Sequence, residues 1–112
     1  MADYYNSDDL KNFPKIGKFK EEFANKFFDY YNSVTGSNSS LTKREKILIA
    51  LAVAHSQKCP YCIDAFTVQA LENGLSPDEM TEAVHTAAAM DAGITLVHGI
   101  QMQNTLKRHG AL

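Results

Sequence analysis

Cys59 and Cys62 stand three apart in the segment Cys59-Pro60-Tyr61-Cys62. On a helix that spacing puts both sulfurs on one face. Pro60 has no N–H to lose at a first helical position, so the pair reads as the opening of a helix. There the unpaired N–H groups and the helix dipole favour a thiolate over a thiol. Cys-x-x-Cys environments lower a cysteine pKa from about 8.5 to 7 or below. A thiolate attacks a disulfide or a peroxide oxygen, and its neighbour then closes a disulfide before the sulfur oxidises further. In a reducing compartment such a pair is redox-active or metal-binding more often than it is a staple. A pair of inert buried thiols is the plain alternative.

His55 lies four residues before Cys59. It either orients or deprotonates a thiol near neutral pH, or bonds the last carbonyls of its own helix. The spacing His55-x3-Cys59-x2-Cys62, with His85 or His98 as a fourth donor, also describes a tetrahedral metal module. As lone histidines near apolar helix faces, His85 and His98 read first as structural residues. Asp64 is two residues from Cys62 and points off its face, and Glu45 reads as a helix cap. Tyr61, between the cysteines, is expected at the surface and open to a partner. No organic cofactor or resident metal is expected for the redox reading.

The elements around these residues read as helices throughout. An apolar stripe of Ile16, Phe19, Phe23, Phe27, Tyr30 and Val34 predicts a first helix over 15–34. Thr42-Lys43-Arg44-Glu45 is a capping box. It opens a second helix whose run from Ile47 to Ala54 is apolar all round and belongs at the centre of the fold. An interruption is expected over 56–59. The third helix starts at the cysteines, turns Ile63, Phe66, Ala70 and Leu71 inward, and stops at Asn73-Gly74. Ser76-Pro77-Asp78-Glu79 opens a fourth, with a break expected near Gly93 and a last helix ending at Lys107-Arg108-His109-Gly110. No segment alternates as a strand does. The expected fold is all-α, with about five or six helices in one domain over 1–112.

Composition bounds the function. The chain carries a net charge of −2, and its lysines are interleaved with acids, so neither nucleic acid nor an anionic membrane is an expected partner. No run of apolar residues reaches the roughly 18 that a membrane span needs. The start, Met1 to Leu10, is polar and acidic, unlike a secretory signal, which leaves the cytoplasm as the expected location. Nine of eleven aromatics precede residue 35, and the first helix carries more aromatic surface (Phe27, Phe28, Tyr30, Tyr31) than one stripe needs, a surplus that marks an interface.

The stretch from Leu41 to Gln103 resembles the carboxymuconolactone decarboxylase-like superfamily, and in particular its alkylhydroperoxidase D-like branch. The resemblance rests on Leu48-Ile49-Ala50-Leu51-Ala52-Val53-Ala54, on Lys58-Cys59-Pro60-Tyr61-Cys62-Ile63-Asp64-Ala65 and on Ala70-Leu71-Glu72-Asn73-Gly74. The capped helix from Ser76, Ala87-Ala88-Ala89-Met90 and Gly93 complete it. Within the branch, the chain is similar to peroxidase-like proteins associated with arsenosugar biosynthesis. The resemblance implies a helical homo-oligomer, a trimer or a trimer-based hexamer. It implies reduction of a peroxide or disulfide substrate through Cys59 and Cys62, with a dithiol partner returning the electrons. His55 matches a histidine of the branch. The branch also has a proton-relay glutamate twelve residues before the first cysteine and a histidine four after the second. Here these positions are Ile47 and Phe66, so that relay does not carry over.

A thioredoxin-like scaffold also uses Cys-Pro-Tyr-Cys, but it needs a strand before the motif. The residues before Cys59 form a capped helical run instead.

Overall fold

The computed structural model describes residues 4–111, and among them every regular element is helical. A 3₁₀ segment, Ser7–Phe19, leads into α1 (Glu21–Thr35), α2 (Lys43–Ser56), α3 (Pro60–Glu72) and α4 (Pro77–Arg108). The capping signals hold where they were expected. Thr42 and Glu45 form a reciprocal capping box at the start of α2, and Ser76 and Glu79 form another at the start of α4. Gly74 closes α3 in the left-handed region, φ 76°, while the Leu75 N–H reaches back to the Ala70 carbonyl at 2.9 Å.

Helix α2 is central, but only one of its faces is buried. Ile47, Leu51 and Ala54, at i, i+4 and i+7, are covered, together with Phe66 and Ala70 of α3 and Leu75 of the following turn. Ile49 and Val53 on the opposite face are about half exposed, and Leu71, expected to face inward, is 58% exposed.

Two polar ties fix α2 against α4. Arg44 pairs with both carboxylate oxygens of Glu79, one of them at 2.7 Å, and the Ser56 hydroxyl lies 2.9 Å from Asp91. Both ties join residues 35 apart in sequence, twelve residues along each helix. The two helices therefore run parallel and in step for roughly 18 Å.

Helix α4 does not break at Gly93; it runs unbroken for 32 residues. A glycine inside a helix costs only about 1 kcal/mol, which flanking alanines and the strong caps offset. Beyond Asp91 it outruns α2, and Ile94, Leu96, Val97, Ile100 and Met102 stand more than half exposed. This overhang stretches the molecule to a radius of gyration of 19.2 Å, against about 13 Å for a compact domain of some 100 residues.

The first helix is also divided differently from its stripe. The chain turns at Lys20 (φ −156°, ψ 66°), which separates the 3₁₀ segment from α1. The reason is steric. Gly17 is buried against Ala24, and a β-carbon at Gly17 would stand 2.4 Å from the Ala24 β-carbon. Only glycine permits this fold-back. Phe13 then meets Phe27 and Phe28, with ring centroids 6.2 and 5.0 Å apart.

The Arg44 and Ser76 contacts hold the Glu79 carboxyl at about 2, below its ordinary 4.5. Because the folded value is depressed, the stabilisation is complete above the unfolded value and is lost as pH falls through the folded one. Urea melts should therefore weaken between pH 4.5 and 2, and Glu79→Gln should flatten that slope. Parallel slopes for the two proteins would show that the tie contributes nothing.

Candidate redox site

The site is built at the junction of α2 and α3. Helix α2 ends in a Schellman turn. The Lys58 N–H bonds the His55 carbonyl at 3.1 Å, and the Cys59 N–H bonds the Ala54 carbonyl at 3.0 Å. The left-handed position of this turn is held by Lys58, φ 54°, where glycine is usual. Cys59 is next, and it is at once the last residue of that turn and the N-cap of α3. Its sulfur accepts the Cys62 N–H at 3.2 Å, in the place a serine or aspartate oxygen takes in an ordinary cap. Pro60 occupies the first turn, as expected. The sulfur therefore sits where the α3 dipole is positive.

Cys59 and Cys62 are joined as an intramolecular disulfide, with α-carbons 5.3 Å apart. Both residues are half-buried. They form part of the wall of a cavity of about 510 Å³. Helix α3 adds Tyr61, Ala65 and Phe66 to it, and α1 adds Tyr31, whose hydroxyl pKa burial pushes up. The 3₁₀ segment supplies the rest, including Leu10, Phe13 and Ile16.

Tyr61 is not the open residue that its position suggested. It is half-buried, its ring packs tilted against Tyr5 with centroids 4.9 Å apart, and its hydroxyl lies 2.9 Å from Asp9 and 3.1 Å from the Tyr4 carbonyl. The hydroxyl has one proton for two acceptors, and the bond to Asp9 raises its pKa. Tyr61 thus latches the N-terminal segment over α3. No local signal announces a partner 52 residues away; only the surplus of aromatics at the N-terminus hints at it.

His55 lies half-buried in the last turn of α2. Its Nδ1 is 2.8 Å from the Leu51 carbonyl, which can only accept. Nδ1 therefore donates to that carbonyl, which leaves Nε2 as the acceptor of the neutral ring. His55 and Asp64 do not line the cavity. Glu45 is a cap, with its pKa lowered by Thr42. His98 bonds the Ile94 carbonyl of its own helix, and His85 is exposed on α4. Among the described residues no group of three or more histidine, cysteine or acidic side chains is placed to hold a metal ion. The His55–Cys59–Cys62 metal module finds no support there. Ile47 and Phe66, at the two relay positions of the resembled branch, are core residues, 1% and 7% exposed.

An all-helical scaffold with a disulfide at a helix start fits a redox role, and the sequence comparisons agree with the scaffold. The profile of the carboxymuconolactone decarboxylase family matches residues 21–102, and the chain belongs to that family. A protein of Paracoccus denitrificans named "Uncharacterized protein 4 in cox locus" is 39% identical over 67 residues. That alignment covers 60% of this chain, and the chain spans about three-fifths of the relative's length. No solved structure matches. No helix among the described residues is long and apolar enough to cross a membrane.

Proposed function

We propose that this chain is a thiol-dependent peroxidase or disulfide reductase of the cytoplasm, cycling Cys59 and Cys62 between dithiol and disulfide. The observation that carries it is the capped sulfur: Cys59 receives the Cys62 N–H at the positive end of α3, inside a pair able to close on itself. In the reduced protein the Cys59 thiolate attacks the terminal oxygen of a hydroperoxide. The O–O bond breaks, an alcohol (or water) leaves, and Cys59 becomes a sulfenic acid. The Cys62 thiol then attacks that sulfur and releases water. In sum, two thiols lose two protons and two electrons, and the hydroperoxide becomes an alcohol and water. A dithiol partner returns both electrons by exchange and ends as a disulfide.

The dipole at an exposed helix end contributes about 0.3–1 kcal/mol, less than one pKa unit, so a base must still take the thiol proton. His55 takes that role in this account. Its Nδ1–H is tied to Leu51, its Nε2 can accept, and it stands in the last turn of α2, four residues before Cys59 across the Schellman turn. Cys59→Ser and Cys62→Ser should each abolish turnover with peroxide and dithiothreitol. His55→Ala should slow thiol oxidation by roughly ten- to a thousand-fold, with little change in melting temperature. A His55→Ala rate equal to wild type would move the proton route elsewhere. Turnover that survives loss of either cysteine would reject the function.

The chain also acts as a homo-oligomer in this reading, a trimer or a trimer-based hexamer. Its accessible surface is 8796 Å², whereas a folded monomer of 12.4 kDa has roughly 6,100 Å². The surplus, roughly 2,700 Å², is of the size that permanent interfaces cover. It is spread over the α4 overhang and over Phe23, Tyr30 and Val34 of α1. Light scattering at micromolar concentration should give a multiple of 12.4 kDa. A stable monomer would refute the assembly.

A further inference from the structure

Helix α4 carries a face that its own chain leaves largely uncovered. In the first half of the helix this face is one side of a groove of about 380 Å³, walled by Leu48, Ile49 and Ala52 of α2 and by Glu79, Ala83 and Thr86 of α4. The steps from Glu79 to Ala83 to Thr86 are four and three, so these side chains share one stripe. The same alternation continues through Met90, Gly93, Val97 and Ile100 to Asn104 and Lys107. Beyond the end of α2 the stripe becomes a ridge, with Met90, Val97 and Ile100 at 64%, 61% and 52% exposure. A single face of α4 thus bears a groove and then a ridge.

The ends of this face are opposite in charge. Asp78 and Glu82 lie at its start, and Lys107 and Arg108 at its finish. Among the described residues none of these four has an ion-pair partner. A second copy of α4 laid parallel would set acid against acid and ridge against ridge. Laid antiparallel, it sets each ridge in the other's groove and each basic end beside an acidic one. The charged ends also fix the register. Gly93 stands fourteen residues from Glu79 and fourteen from Lys107, so it falls at the centre. A β-carbon at Gly93 would meet nothing of its own chain within 4 Å, which leaves the centre open to a neighbour. Such a contact uses the same patch on both copies, as a two-fold axis requires. The paired stretch of 32 residues is roughly 48 Å long. A stable interface covers roughly 800 Å² on each partner, so the surplus surface of roughly 2,700 Å² accommodates this contact and leaves area for others.

We propose that α4 pairs antiparallel with α4 of a second copy about a two-fold axis at Gly93, ridge in groove, with Lys107 and Arg108 set against the acidic start of the partner helix. This rests on the homo-oligomer reading above and narrows it. A trimer-based hexamer contains two-fold axes, and a lone trimer does not.

The test is crosslinking and mass on the full-length chain. Gly93→Cys and Asn104→Cys are each made with Cys59→Ser and Cys62→Ser, so that only the introduced thiol reacts. Position 93 meets its own copy across the axis, whereas the two copies of position 104 lie roughly 33 Å apart in this register. Under mild oxidant Gly93→Cys should form interchain disulfides at least ten-fold faster than Asn104→Cys. Val97→Glu charges the ridge at an exposed site, so folding is not at stake, and it should halve the mass seen by light scattering. Lys107→Glu with Arg108→Glu leaves acid at both ends of the face, and Asp78→Lys with Glu82→Lys leaves base at both. Each pair alone should weaken association at least ten-fold, and an equimolar mixture of the two proteins should regain the wild-type mass. Crosslinking of Asn104→Cys as fast as Gly93→Cys would mean a parallel contact, and a wild-type mass for Val97→Glu would put the interface on another face. Either result overturns the proposal and leaves the homo-oligomer standing. A monomeric wild type rejects the homo-oligomer reading and the pairing with it.

Discussion

Cys59 closes one helix with its backbone and opens the next with its side chain. Its N–H ends α2 on the Ala54 carbonyl, and its sulfur accepts the Cys62 N–H at the start of α3. Little freedom remains between these bonds. The angle between α2 and α3 and the position of both sulfurs at the positive end of α3 follow from them, with His55 in the last turn of α2. The left-handed Lys58 is the cost of this tight connection, since a lysine adopts that conformation less readily than glycine. A looser link would separate the proton acceptor from the thiol that it is proposed to serve.

The remaining elements hold this junction in place and leave much of themselves uncovered. Arg44–Glu79 and Ser56–Asp91 clamp α2 to the first half of α4, and Ile47, Ala70 and Leu75 form the small core beneath. Among the described residues six make up the buried apolar set, which is small for a domain of this size. The second half of α4 and the outer face of α1 keep their large apolar side chains in solvent. The proposed assembly resolves both facts together, because a neighbouring subunit would complete the core that one chain begins.

Signals that act over one helical turn were legible in the sequence. The capping boxes at Thr42 and Ser76, the Pro60 start, the stop at Gly74 and the break between α2 and α3 all lie where short-range chemistry puts them. The cysteine pair at a helix start was legible for the same reason. Features that depend on a distant residue were not. The stripe from Ile16 to Val34 identifies an apolar face but does not reveal that Gly17 folds onto Ala24 and splits the helix at Lys20. Gly93 suggests a break that α4 does not make, because one glycine costs less than a run of good helix formers supplies. The position of Tyr61 suggests an open residue, because its partner, Asp9, is far away in sequence. The cavity is invisible in the sequence for the same reason: its walls come from three separate segments.

The central claim is that the two sulfurs form one two-electron couple within a single chain. Intact-mass spectrometry of the reduced protein after one equivalent of peroxide tests it most directly. The account predicts that each chain loses two hydrogens and gains no oxygen, with peptide mapping placing the new bond between Cys59 and Cys62. Added oxygen retained on one cysteine, bonds only between chains, or two thiols left intact would contradict it.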